Sequence, residues 1–137
     1  MCRRCDNMKA YITCPVSHSK ERLDLLPKIK EIINENGIDS FIFEIGGNPE
    51  EIFERDYNQL KSCDLIIAEV SERSHGVGIE IGLSFGLGLK RILLIEGGNS
   101  LTKLAQRMPD TIIIEYNNLE DLKKELKSVI NAIKINR

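Results

Sequence analysis

The chain has no tryptophan, and aromatic residues make up only 5% of its 137 residues, so a planar cofactor such as a flavin would find no indole to stack on. No cofactor is expected. No apolar run approaches the ~18 residues that cross a bilayer, and Met1–Asn7 lacks the apolar core of a secretory signal. A soluble, cytoplasmic protein is the expectation. Basic residues are not in excess: 19 Lys and Arg face 21 Asp and Glu, a net charge of −2, which argues against long nucleic acid as a partner. Cysteine is scarce as well. Cys2 and Cys5 form one CxxC pair, but no second pair follows, and a structural zinc needs four ligands. Metal binding is therefore not expected. Residues 1–7 read as a disordered extension ahead of one α/β domain over 8–137. Cys14 and Cys63 fall in or beside predicted strands and read as buried reduced thiols.

What is present is an ordinary globular balance, 42% apolar and 29% charged, in a length that suits one core. Lys9 to Cys14 is short, apolar and closed by Pro15, which predicts a first strand. Leu23, Leu26, Ile29 and Ile32–Ile33 recur at helical spacing within 18–36, and Asn36-Gly37 stops that helix. Strands are predicted over Ser40–Ile45, Asp64–Val70, Arg91–Ile95 and Thr111–Glu115. Helices are predicted over Glu50–Ser62, from Gly76 or Val77 to Leu89, briefly over Leu101–Arg107, and over Leu119–Ile135. The unbroken apolar run Leu65–Ala68 suits a strand buried on both faces of a parallel sheet. Five alternations of strand and helix predict a doubly wound, flavodoxin-like sheet of about five parallel strands with helices on both faces.

Ligands of such sheets bind beyond the carboxyl ends of the strands. The most informative of these ends is Ser74-His75-Gly76-Val77-Gly78-Ile79-Glu80-Ile81-Gly82. It reads as a glycine loop opening a helix, with a carboxylate in its first or second turn. The free N–H groups and partial positive charge of a helix start favour an anion, and Gly76 and Gly78 allow a ligand close to the backbone. The dipole is also expected to favour an ionised Glu80. Taken alone, a Glu at this place is more simply explained as a favourable charge–dipole partner. The row Gly78, Gly82, Gly86 lies on one helix face and reads as tight packing on the sheet or on a neighbouring helix, with a subunit contact as the other use of that face.

The wider pattern narrows the choice. Glu54-Arg55-Asp56 precedes Cys63-Asp64-Leu65-Ile66-Ile67-Ala68-Glu69-Val70-Ser71, and Ser74-x-Gly76-Val77-Gly78-x-Glu80-x-Gly82 follows. From Tyr11 onward the chain resembles the nucleoside 2-deoxyribosyltransferase superfamily, most closely its 2'-deoxynucleoside 5'-monophosphate N-glycosidases. The resemblance implies that Glu80 is the nucleophile at the anomeric carbon, that Asp56 faces the base and assists its departure, and that Tyr11 orients Glu80. It implies phosphate binding by Ser74 with the backbone around Gly76, and a homodimer acting on a nucleotide or nucleoside. The chain also departs from the pattern. Its first loop, Cys14-Pro15-Val16-Ser17-His18-Ser19-Lys20, lacks the family's Gly-Ser and Arg, and Ser17, Ser19 and Lys20 are the candidates to replace them. Ala105 falls near the position of a serine that the second subunit supplies in the family, and Phe53 stands where a histidine is found.

The activity implied is hydrolysis of a (deoxy)nucleoside monophosphate through a glycosyl–Glu80 intermediate. Base exchange by the same intermediate, and nucleotide binding without chemistry, are the alternatives. Among other residues, Asp64 reads as a strand-entry residue, Glu69 as a candidate for the pocket rim, His75 as an exposed loop residue, and Lys123, Lys124, Glu125 and Lys127 as a solvated helix face.

Overall fold

The computed structural model describes residues 8–16 and 21–135. Cys2 and Cys5, and with them the extension 1–7, lie outside the described residues, as do Ser17, His18, Ser19 and Lys20. The strands are β1 (Lys9–Thr13), β2 (Asp39–Ile42), β3 (Leu65–Glu69), β4 (Lys90–Glu96) and β5 (Thr111–Tyr116). The helices are α1 (Glu21–Glu35), α2 (Pro49–Lys61), α3 (His75–Gly86) and α4 (Leu119–Ile135), with one 3-10 turn at Lys103–Ala105. All strand pairs are parallel, in the order β2-β1-β3-β4-β5. This is the flavodoxin-like order. Helices α1 and α4 pack together, and α2 and α3 pack together.

Element types follow the sequence expectation except over Leu101–Arg107, where the expected short helix is only the 3-10 turn Lys103–Ala105, and the other ends differ by a few residues. The predicted second strand loses its last three residues. Phe43 still donates its N–H to the Ile12 carbonyl at 2.9 Å, but the chain then turns through Gly46 and Gly47 at φ +96° and +111°. Those angles suit glycine alone. Helix α3 ends at Gly86, three residues early, because Gly88 takes φ +79°. Pro27 sits inside α1, where it removes the N–H that would bond the Leu23 carbonyl.

The period-2 alternation of the strands sorts residues between the two faces. Ala10 and Ile12 of β1 join Leu65 and Ile67 of β3 in a core with Ile29, Ile33 and Leu126 of α1 and α4. Tyr11 and Ile66 point the other way, into a core with Leu60 and Leu89. Every residue of β3 is fully buried, as its unbroken apolar run requires. Asp64 accepts the Lys9 N–H at 2.9 Å, which fits a residue at the strand's entry. Lys123, Lys124, Glu125 and Lys127 are exposed on α4. Cys14 and Cys63 are buried free thiols, and burial is the main cause that pushes them up to about 12 and about 11.

Candidate active site

Strand order reverses between β1 and β3, so their connections leave to opposite sides and open a crevice at the carboxyl ends. A cavity of about 490 Å³ lies there, bounded by the ends of β1 and β2 and by α2 and α3. That size suits a small organic ligand. Thr13 and Cys14 line it at the end of β1, Asp56 on α2, Ser74 and Gly76 at the start of α3, and Glu80 one turn further along α3. Much of the remaining wall is apolar, including Phe43, Ile52, Phe53 and Ile79. Phe53 and Tyr57 are one helical turn apart and stack with ring centroids 5.7 Å apart and planes within 10°.

Glu80 is the buried carboxylate of this cavity, only 8% exposed. It lies in the second turn of α3, beyond the first turn where the dipole acts. The expectation of a dipole-favoured carboxylate therefore gives way to desolvation. Burial pushes the Glu80 pKa up; hydrogen bonds from the Tyr11 and Thr13 hydroxyls oppose this, and the nearby Asp56 charge adds to it. The Tyr11 hydroxyl donates to Glu80 Oε2 at 2.6 Å. Tyr11 is itself fully buried, packed edge-to-face on Phe41 with centroids 5.4 Å apart. Burial and the neighbouring Glu80 push its pKa well up, so the phenol stays a proton donor. Tyr11 thus fixes one oxygen of Glu80 from behind without lining the cavity.

Ser74 is the N-cap of α3, in extended backbone, and its Oγ accepts the Val77 N–H at 3.3 Å. The first-turn N–H groups of His75 and Gly76 precede the intrahelical ladder and remain available to an anion. His75 is exposed. Across the cavity, Asp56 Oδ1 accepts the Arg55 Nε–H at 3.0 Å. Arg55 also donates to the carbonyls of Gly46 and Glu44, each at 2.9 Å. Among the described residues no group of three or more His, Cys, Asp or Glu side chains is placed to hold a metal ion.

The family model for nucleoside 2-deoxyribosyltransferases matches residues 10–120. The chain belongs to that family. A relative in Thermofilum pendens, assigned as a 2'-deoxynucleoside 5'-phosphate N-hydrolase, is 35% identical over 83 residues, which cover 54% of this chain and 58% of that protein. The match therefore spans little more than half of that relative. A Syntrophotalea carbinolica protein with the same assignment is 29% identical over 112 residues, 79% of each chain. Among solved structures, a CMP N-glycosidase of Clostridium botulinum superposes with a TM-score of 0.68 at 23% identity, covering 86% of this chain and 97% of that one. A 2-deoxyribosyltransferase of Bacillus psychrosaccharolyticus gives 0.64 at 20% identity, covering 84% and 90%. Those two likenesses establish a shared fold.

In this deoxyribosyltransferase-family chain, Asp56, Ser74, Gly76 and Glu80 meet at one cavity, with Tyr11 behind it. Gly78 does not join them. It lines a separate hollow with Gly82, Phe85, Leu104, Ala105 and Met108. Among the described residues, a Cβ placed on Gly78, Gly82 or Gly86 would meet nothing within 4 Å, so this row is not packed tightly on the described sheet or helices. Glu69 does not line the rim either. It shares the parity of Leu65 and Ile67 and points toward α1, fully buried. There it accepts the Tyr116 hydroxyl at 2.5 Å, the Ser71 Oγ–H at 2.6 Å and the Ser71 N–H at 2.9 Å. Its role is to tie β3 to β5. Sequence reasoning missed Thr13, which shares the face of Tyr11 two residues earlier, and Arg55, which precedes Asp56 on α2. The Thr13 signal was legible in the strand's alternation; the Arg55 contacts were not.

Proposed function

We propose that the protein hydrolyses the N-glycosidic bond of a (deoxy)nucleoside 5'-monophosphate, releasing free base and sugar 5-phosphate. The observation that carries this reading is Glu80, a buried carboxylate held by the Tyr11 hydroxyl at 2.6 Å in a cavity shared with Asp56. Cleavage builds positive charge on the sugar and negative charge on the base. Glu80 attacks the anomeric carbon, the bond from that carbon to the base nitrogen breaks, and its electron pair leaves with the base. Asp56 supplies the proton that neutralises the departing base. Water then attacks the anomeric carbon of the glycosyl–Glu80 ester, gives its proton to Asp56, and frees the Glu80 carboxylate. The phosphate sits on the first-turn N–H groups of α3 with the Ser74 hydroxyl, assisted by Ser17, Ser19 and Lys20 of the first loop. Phe53, Tyr57 and the neighbouring apolar wall receive the base.

The same reading makes the protein a homodimer. The outer face of α3 carries Ile79 and Phe85, 59% and 52% exposed, beside the open glycine row, and Leu104 next to it is 89% exposed. Such a contiguous apolar face favours a second copy. A substrate drawn from the nucleotide pool favours the cytoplasm as the site of action.

The test is base release from the common nucleosides and their 5'-monophosphates, read by chromatography with and without an added second base. Free base from a monophosphate, lost in Glu80→Ala, is the expected result. Exchange product with the added base would reassign the protein to sugar transfer. Binding of monophosphates with no base release would reassign it to a nucleotide-binding role. Equal turnover by Glu80→Ala would remove Glu80 from the mechanism.

A further inference from the structure

Arg55 lines the cavity, yet the chemistry above leaves it without a task. Its guanidinium is engaged on three edges: Nε donates to Asp56 Oδ1 at 3.0 Å, one Nη to the Gly46 carbonyl at 2.9 Å, and the other to the Glu44 carbonyl at 2.9 Å. Neighbours in a helix do not face each other, so the Arg55–Asp56 contact is no product of helical spacing. The side chain curls back over its own helix to reach both Asp56 and the loop after β2. It is 25% exposed, and Asp56 is 18% exposed, which shields the contact from bulk water.

The two carbonyls belong to a segment with little else to hold it. Gly46 and Gly47 take φ +96° and +111°, and the ladder to β1 has ended at Phe43. One turn further along α2, Gln59 donates to Glu44 Oε1 at 3.0 Å, so the loop is pinned to the helix at two successive turns. Asp56 gains from the same arrangement. One of its oxygens is occupied by Arg55, which fixes the carboxyl plane and leaves the other oxygen for a ligand.

We propose that Arg55 is a positioning residue that fastens the β2–α2 loop and Asp56 into one rigid wall of the cavity. The assignment rests on the reading of Asp56 given above, and its loop half stands apart from that reading. Only a planar fork serves it: a lysine presents its N–H groups from a single nitrogen and cannot meet three acceptors arrayed around a plane. The role is indirect, through the aim of Asp56, so it belongs to turnover more than to substrate capture.

Arg55→Gln and Arg55→Lys in the full chain test this. Amide hydrogen exchange over residues 44–48 is expected to quicken in both variants, and unchanged exchange would overturn the proposal. For base release from a mixture of the four deoxynucleoside 5'-monophosphates, both variants are expected to lose kcat by about 10²-fold with KM nearly unchanged, the scale of a misplaced catalytic group. In an Asp56→Asn background the further loss from Arg55→Gln should shrink to within about twofold, because two residues acting through one another are not additive. Full rescue by lysine, or the same fold loss in both backgrounds, would overturn it. A wild-type chain that releases no base defeats the hydrolase reading, and the exchange measurement then decides on Arg55 alone.

Discussion

Tyr11→Phe is the sharpest probe of the site, because it removes one hydroxyl and little else. The ring is fully buried and packs edge-to-face on Phe41 at 5.4 Å, and phenylalanine keeps that packing. What disappears is the 2.6 Å hydrogen bond to Glu80 Oε2. A hydrogen bond to a charged group contributes about 1.5–3 kcal/mol, which converts to roughly 10- to 100-fold in rate. The Thr13 hydroxyl also bonds Glu80 and remains, so the loss should fall toward the tenfold end. The sign with pH follows from the charge states. Burial holds the Glu80 pKa above the usual carboxylate range, and the Tyr11 bond partly offsets this. Without that bond the pKa rises further, and a higher pH is needed to ionise the nucleophile. The acid limb of kcat/KM should therefore move to higher pH, with the deficit of the variant greatest on the acid side and shrinking as pH rises. Base release across a pH series, for wild type and variant, measures this directly. A deficit that stays constant across pH, or an unmoved acid limb, would refute the role of Tyr11 as the group that keeps Glu80 ionised.

Glu80→Gln should raise the melting temperature at and above neutral pH, because a raised folded-state pKa means that folding favours the protonated acid. The stability that Glu80 contributes is full below its unfolded value of about 4.3 and is lost as pH rises through the folded value, so the gap between variant and wild type should close toward that pH in thermal melts. Asp56→Asn should slow base release most for the bases that leave least readily, in single-turnover assays across a base series; a uniform small effect would remove Asp56 as proton donor. Gly82→Arg should leave the fold intact, since nothing among the described residues lies within 4 Å of a Cβ there, and should turn the proposed dimer into a monomer in sedimentation velocity. An unchanged sedimentation coefficient would show that α3 is not the contact.

The five strands and four α-helices were legible from period, apolar runs and turn residues, whereas the helix expected over Leu101–Arg107 is only a 3-10 turn. The run Leu65–Ala68 announced a central strand because a strand with helices on both sides has no polar face to show. Glycines marked the loops, though the ends moved wherever a positive φ at Gly46 or Gly88 stopped an element early. The glycine loop before Glu80 was legible from the residues because it follows the apolar run at a strand end; Asp56 was singled out only through the family resemblance, and the structure places both on one cavity. Glu69 was misplaced because the strand-end position was read without the parity that turns its side chain toward Tyr116. The glycine row was misread for a related reason: spacing says that three residues share a helix face, and only packing says whether anything covers it.

By itself, then, the order of residues determined which segments become strands or helices and which acids stand at their ends, since those are properties of near neighbours along the chain. The family resemblance pointed to Tyr11 as the residue that orients Glu80, 69 residues later, and only the tertiary structure shows the 2.6 Å hydrogen bond by which the phenol holds the carboxylate. Tertiary structure alone decided that burial rather than the helix dipole governs that carboxylate, and that Arg55 joins Asp56 to a loop about ten residues back. Desolvation and the meeting of distant groups depend on how sheet and helices close around a volume, and no local pattern carries that information.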